Sequence, residues 1–350
     1  MTNPYSDLPE SAFWKPAVGE RRPRQISGLW SPKFDIAQQT PVATYGSCFA
    51  QHFSRRLVAR QFTWLNAEPA PGAMDADEAK RLNFGVFSAR TGNIYTAAAL
   101  LQWLRWAAGR EDPPPESWEK DGRHYDPFRP AIQPGGFADA AAMRESRAQT
   151  IAAVARSVRD SGMFVFTMGL TEAWANRDSG HVYAVCPGTV AGTFDPQRHR
   201  FVNFGFSEIL GQMTEALDLM RALNPEIKVL LTVSPVPLTA TASGEHVLTA
   251  TTYSKSVLRA VAGELAQSRP EVDYFPSYEI ITAPAFGGRF FEPNMRSVAQ
   301  KGVDFVMESF FRAIGHDPET GPAQGRRSGR RGRQAAKAEA LICEEEALDA

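Results

Sequence analysis

Short apolar runs alternate with stretches of helical period along most of this chain. The runs fall at residues 41–45, 61–65, 163–170, 228–233 and 272–274. Runs that are apolar on both faces and separated by helices read as parallel strands covered by helices. The pattern therefore predicts an α/β fold: a three-layer α/β/α sandwich around a five-stranded parallel sheet of flavodoxin-like order 2-1-3-4-5. In such a sheet a site is expected at the carboxyl ends of the strands.

Between the second and third strands lies an insertion, residues 67–160, long enough to shape a cleft or lid. It holds a helix predicted over 95–108, Pro-rich stretches at Pro113-Pro114-Pro115 and Asp126-Pro127-Phe128-Arg129-Pro130, and a second helix over 138–159. After the third strand, residues 181–185 and 200–203 flank a Gly/Pro-rich turn region and read as a hairpin. Residues 1–40 are aperiodic and Pro-rich and read as an extended arm, anchored by aromatics such as Trp14, Trp30 and Phe34. The domain is expected over 41–315. Beyond it, 316–350 lacks apolar periodicity and is expected to be a disordered tail.

The chemistry concentrates at Gly46-Ser47-Cys48-Phe49-Ala50, where the first strand gives way to a helix. A small residue, a tight turn and a nucleophilic side chain at the end of a strand make an elbow. Such an elbow lifts the nucleophile over the sheet and aims the N–H groups of the next helix at whatever it attacks. The same five residues also read as a glycine turn beside a buried cysteine. The strand carrying the elbow is expected at the centre of the sheet.

Other polar residues fall on the same rim. Gly169-Leu170-Thr171-Glu172-Ala173-Trp174 ends the third strand, and Thr232-Val233-Ser234 ends the fourth. Thr171 can donate to an oxyanion and Glu172 can accept from a hydroxyl, although Thr-Glu is also an ordinary helix start. Arg90-Thr91-Gly92-Asn93-Ile94-Tyr95 is a Gly-Asn turn that offers backbone N–H groups and an amide, or else a plain helix cap. Cys48, Gly92 and Thr171 are expected to converge on one pocket.

Composition narrows the classes. The 350 residues carry a net charge of −1, which exerts no general pull on nucleic acid or membrane. Three cysteines and no secretory start imply a reduced cytoplasmic setting. The longest apolar runs are too short to span a bilayer. The basic cluster at 326–333 lacks interleaved aromatics and is followed by Glu344-Glu345-Glu346, so it reads as a solvated tail rather than a nucleic-acid site. Six scattered histidines show no paired ligand spacing, so no metal or other cofactor is expected.

The ordered motifs resemble a known family. Gly46-Ser47-Cys48-Phe49-Ala50 is the name-giving signature of the GSCFA proteins, which are similar to the SGNH hydrolase superfamily of esterases and acyltransferases. The resemblance runs on through Gly92-Asn93-Ile94-Tyr95, the Asp126-to-Pro130 stretch, the Phe166-to-Trp174 stretch, Ser234-Pro235-Val236, Tyr253-Ser254-Lys255-Ser256 and Pro276-Ser277-Tyr278-Glu279. It implies that Cys48 takes the nucleophile's place in the Gly-Asp-Ser block and Ser47 that of the aspartate. It also implies an oxyanion hole from the N–H groups of Cys48 and Gly92, or Gly85 instead of Gly92, with the side chain of Thr171.

The superfamily's final Asp-x-x-His is missing. The corresponding stretch reads Glu292-Pro293-Asn294-Met295-Arg296-Ser297, with Asn294 and Ser297 where Asp and His are expected and Arg296 beside them. Two such spacings, Asp121 to His124 and Asp178 to His181, lie in the insertion and in the expected hairpin. His52, His246, Glu172 and Glu279 are the other candidate bases. The implied chemistry is attack of Cys48 on an acyl ester through a thioester, with water or a sugar hydroxyl as acceptor. Asn93, Trp174, Ser234, Asn294 and Arg296 are the expected substrate contacts. The implied partner is a small-molecule or glycan ester, with no oligomeric state implied. The rival reading is a catalytically silent scaffold that binds a glycan or a protein.

Overall fold

The computed structural model describes residues 3–316; the basic and acidic runs of the tail lie outside them. Two compact units are distinguished, residues 37–274 and residues 3–36 with 275–316. In chain order the elements of the larger unit are β1 (Val42–Gly46), α1 (Ala50–Ala59), α2 (Ala76–Arg81), α3 (Ala97–Ala107), β2 (Trp118–Lys120), β3 (Arg123–Tyr125), α4 (Ala140–Asp160) and β4 (Met163–Met168). There follow β5 (Glu172–Asn176), β6 (Val182–Tyr183), β7 (His199–Asn203), α5 (Phe206–Leu223), β8 (Lys228–Val233), α6 (Val247–Ser268) and β9 (Val272–Tyr274). The smaller unit holds α7 (Ser277–Thr282), α8 (Gln300–Ala313) and short helical turns. Within it Trp30 stacks on Phe310 with ring centroids 5.6 Å apart, whereas Trp14 is exposed.

The central sheet is parallel, in the order β1-β4-β8-β9. Every residue of β1 and β4 is buried, as their unbroken apolar runs require of strands covered on both faces. Helix α1 packs on β1, and α6 packs on β8 and β9. The sheet has four strands, so the expectation of five is corrected. The run at 61–65 reaches β1 only through a single parallel bridge between Val42 and Trp64. Gln61 takes a positive φ of 60°, and the Trp64 N–H donates to the Phe62 carbonyl at 2.9 Å. That three-residue turn bends the chain away from the extended path a ladder needs.

As a result β1 stands at the edge of the sheet rather than at its centre, and irregular segments satisfy its outer edge. Val42 N–H donates to Thr63 O at 2.8 Å, and Leu65 N–H donates to Val42 O at 2.9 Å. Thr44 N–H donates to Ser88 Oγ at 3.0 Å, and Ile94 N–H donates to Gly46 O at 2.8 Å.

The expected hairpin of 181–185 with 200–203 is also corrected. Both segments pair with β5 instead, giving an antiparallel sheet in the order β6-β5-β7. Residues 172–176, which could have started a helix, form the middle strand of that sheet.

The insertion is locked in place by a buried charge cluster built on Asp126-Pro127-Phe128-Arg129-Pro130. Asp126 and Arg129 have fully buried side chains, and Arg129 Nε donates to Asp126 Oδ2 at 2.8 Å. Arg147 from α4 approaches the same carboxylate at 2.8 Å and donates to the carbonyls of Pro114 and Glu116. Arg129 donates to Thr150 Oγ1, whose hydroxyl donates to Glu68, and Glu68 in turn accepts from the Arg90 N–H. Burial alone would raise the Asp126 pKa, but Arg147 and then Arg129 outweigh it and hold the carboxyl below its ordinary range.

Candidate active site

β1 ends at Gly46, where φ is +133° and a Cβ would lie 2.4 Å from the Thr167 carbonyl oxygen. No side chain fits there, because β1 and β4 are in register at Gly46 and Thr167 and the turn is pressed onto its neighbour. Ser47 N–H donates to Thr167 O at 3.1 Å, and the chain then turns through Ser47, Cys48 and Phe49 into α1. The N–H groups of Ala50, Gln51 and His52 turn back onto the carbonyls of Ser47, Cys48 and Phe49. The anion-binding capacity expected of this helix start is narrowed accordingly. Cys48 is 5% exposed and Ser47 2%.

Two further segments close over the elbow. Ile94 N–H bonds Gly46 O, while Gly169 N–H and Leu170 N–H both donate to Tyr95 O at 2.9 Å. A Cβ on Gly169 would lie 3.0 Å from Tyr95 O and 3.1 Å from Ser47 Cβ. The segments 46–48, 92–95 and 167–171 are therefore packed backbone to backbone at the carboxyl ends of β1 and β4. Asn93 Oδ1 accepts from Gln51 Nε2 at 3.2 Å. Ser47 Oγ and Thr167 Oγ1 are buried without a hydrogen-bond partner.

The Thr171 hydroxyl donates to Asn203 Oδ1 at 2.7 Å, and its N–H donates to Ser254 Oγ at 3.1 Å. Lys255 is buried and donates from Nζ to Gly169 O at 2.6 Å. Ser254, Lys255 and Asn203 escape a reading based on chemistry alone. One signal for Lys255 was present, a lysine three and seven residues before Leu258 and Ala262 on the apolar face of α6.

Beyond this rim opens a pocket of about 270 Å³ walled by Trp103, Phe128, Leu170, Trp174, Phe201 and Leu238, with Asn93 and Glu172 among its polar residues. Three expected site residues, Asn93, Glu172 and Trp174, line it; Cys48, Ser47, Gly92 and Thr171 do not. Burial raises the Glu172 pKa, against the hydrogen bonds it accepts from Thr241 Oγ1 at 2.7 Å and from the Ala242 N–H. Cys186 also lines the pocket, and burial pushes its thiol up to about 11.

The remaining expected residues are placed as follows. Ser234 is buried, donates its N–H to Met168 O and accepts from the Val236 N–H. His246 caps α6, its Nδ1 accepting from the Leu248 N–H at 3.2 Å. The His52 pKa is pushed down to about 3, by burial first and then by Arg55 and Arg56, so its ring is neutral at ordinary pH. His181 Nε2 lies 2.6 Å from Glu111 Oε1, and His124 pairs with Ser117 Oγ in the β2–β3 hairpin.

Glu279, Asn294 and Arg296 belong to the smaller unit. Glu279 sits in the first turn of α7. Asn294 Oδ1 accepts from the N–H groups of Arg296 and Ser297, and its Nδ2 donates to Ser297 Oγ at 3.0 Å. Asn294 and Ser297, which the resemblance would set in place of Asp and His, thus bond to each other. Among the described residues no group of three His, Cys, Asp or Glu side chains is placed to hold a metal ion. Among them, too, no helix is long and apolar enough to cross a membrane.

No curated protein matches the chain. Solved structures similar to it include an acetyl esterase mutant with acetate ion, at 18% identity, and a carbohydrate esterase family 3 from Talaromyces cellulolyticus, at 17%. Each alignment has a TM-score of 0.27 and covers 47% of this chain and 65% of the other, under two thirds of its length. The GSCFA family model matches residues 41–310, across the elbow, the Gly92 turn and the buried Asp126–Arg129 cluster, and the chain belongs to the GSCFA family.

Proposed function

We propose that the protein cleaves or transfers the acyl group of an ester through a thioester on Cys48. The observation that carries this reading is the Gly46-Ser47-Cys48 elbow, a strand–turn–helix junction held at the carboxyl end of a parallel sheet by a glycine at a position where no Cβ fits. Cys48 Sγ, once deprotonated, attacks the ester carbonyl carbon; the C=O electron pair moves to oxygen and returns as the alkoxide leaves with a proton. Water or a sugar hydroxyl then attacks the thioester, gives up its proton, and the thiolate departs. Glu172, next to Thr171 in sequence and on the pocket wall, is the carboxyl proposed to carry those protons. The N–H groups of Cys48 and Gly92 are the donors proposed for the oxyanion. A reduced cytoplasmic setting and a glycan acceptor complete the proposal.

A second reading, a silent scaffold that binds a ligand, has specific support. Cys48 is almost fully buried, the Thr171 hydroxyl is engaged by Asn203, and Asn294 bonds Ser297. Turnover of aryl acetates, acetylated sugars and methyl cinnamate by wild type, Cys48→Ala and Ser47→Ala decides between them, together with mass-mapped alkylation across pH. Activity lost only in Cys48→Ala, with Cys48 alkylated well before Cys186, supports the thioester. Full activity in Cys48→Ala with a dead Ser47→Ala transfers the role to Ser47. No turnover and no reactive thiol in wild type leaves the scaffold.

A further inference from the structure

The pocket's polar groups are largely turned onto one another. Gln102 donates to Val182 O at 3.2 Å and accepts from Val182 N–H at 3.0 Å. Thr96 Oγ1 accepts from Ala99 N–H to cap α3, and the Tyr183 hydroxyl donates to Glu116 and accepts from Asn176. Thr241 Oγ1 donates to Glu172. A guest rich in hydroxyls would find most of these groups engaged, and leaving its own hydroxyls unpaired would cost about 1–3 kcal/mol each. Aromatic and aliphatic surface is what remains. Trp174 is held edge-on by Phe194 and Phe201, with ring centroids 5.1 and 5.7 Å away.

Size points the same way. An apolar cavity of about 150 Å³ suffices for a benzene ring. This pocket, at about 270 Å³, exceeds what an acetyl group fills. The Glu172 carboxylate on the wall disfavours an anionic guest.

Resting on the ester reading above, we infer that the pocket receives the ring-sized, apolar acyl group of an uncharged ester, and that it discriminates against acetyl groups and against free carboxylates. The direct test is calorimetric binding at pH 8 of methyl cinnamate, methyl acetate and cinnamate anion to wild type and Cys48→Ala. Ala99→Phe and Ala240→Trp fill the pocket from a helix face and from an exposed loop, and the latter carries little risk to folding.

Methyl cinnamate should bind at least tenfold tighter than either competitor, and both filling variants should weaken it by tenfold or more. Glu172→Gln should narrow the gap between the ester and the anion. Equal binding of methyl acetate and methyl cinnamate, no binding of either, or filling variants without effect would overturn the assignment. Binding is read without turnover. A protein that binds methyl cinnamate but never cleaves it sinks the ester chemistry and keeps the pocket. One that cleaves methyl acetate and methyl cinnamate with equal kcat/KM keeps the chemistry and sinks the pocket.

Discussion

Replacing Asp126 by asparagine removes the one carboxylate that faces both Arg129 and Arg147. The aspartate accepts from Arg129 Nε at 2.8 Å, Arg147 Nε at 3.1 Å and the Phe128 N–H at 3.1 Å, and pairs with Arg147 Nη2 at 2.8 Å. Asparagine keeps one acceptor oxygen and turns an NH2 group toward two buried guanidinium groups. Removing one partner of a buried ion pair costs roughly 3–5 kcal/mol, because the remaining charge is stranded away from water. A unit of this size loses ~2–4 °C of Tm per kcal/mol, so Asp126→Asn should melt ~6–20 °C lower.

The pH dependence has a definite sign. The folded carboxyl titrates below its ordinary range, so the folded state binds fewer protons than the unfolded one. Its stabilisation is complete above the unfolded value of ~3.9 and is lost as pH falls through the lower folded value. Urea or thermal unfolding of wild type and variant should therefore differ by a constant amount between about pH 8 and 5, and the curves should converge below about 4. Removing the stranded charges as well, with Arg129→Met and Arg147→Met, should recover part of the loss. A loss under ~1 kcal/mol, or a gap that widens on acidification, would refute the reasoning.

Three further outcomes are expected. Gly46→Ala combines a disallowed φ with a Cβ against Thr167 O and should cost at least ~3 kcal/mol in chemical unfolding; a loss below ~1 kcal/mol would show that the elbow relaxes freely. Glu215→Gln breaks a bidentate pair of 2.7 Å bonds with Arg105, but both side chains are well exposed, so unfolding should register only ~0.2–1 kcal/mol, fading with salt; a salt-independent loss would contradict a surface pair. His52 has its folded pKa depressed to about 3, so wild type should lose stability as pH falls below ~6.5 toward that value. His52→Phe should make that slope shallower in Tm against pH, and an unchanged slope would place the acid lability elsewhere.

The strands of the central sheet were legible because each is a continuous apolar run, and α3 and α4 because their period is regular over three or more turns. What failed was local geometry. The turn at Thr63 that reduces the run at 61–65 to one bridge leaves no composition signal, since its residues are ordinary strand formers. β5 was hidden because Thr171-Glu172 starts a helix as readily as a strand, and only pairing with β6 and β7 decides. The elbow could be read from five residues. The pocket could not, because Trp103, Phe128, Trp174, Phe201 and Leu238 come from separate segments with no shared period.

The edge of β1 bears on self-association. A bare edge strand offers its donors and acceptors to any extended chain that passes, and proteins that leave one open tend to aggregate. Here residues 63–65, Ser88 and Ile94 consume that edge one group at a time, without forming a strand that would itself present a new edge. The strand that leads into the Gly46-Ser47-Cys48 turn is thus shielded from recruiting a second molecule. Substitutions that loosen residues 86–94 should show first as lost solubility, before any change at the rim.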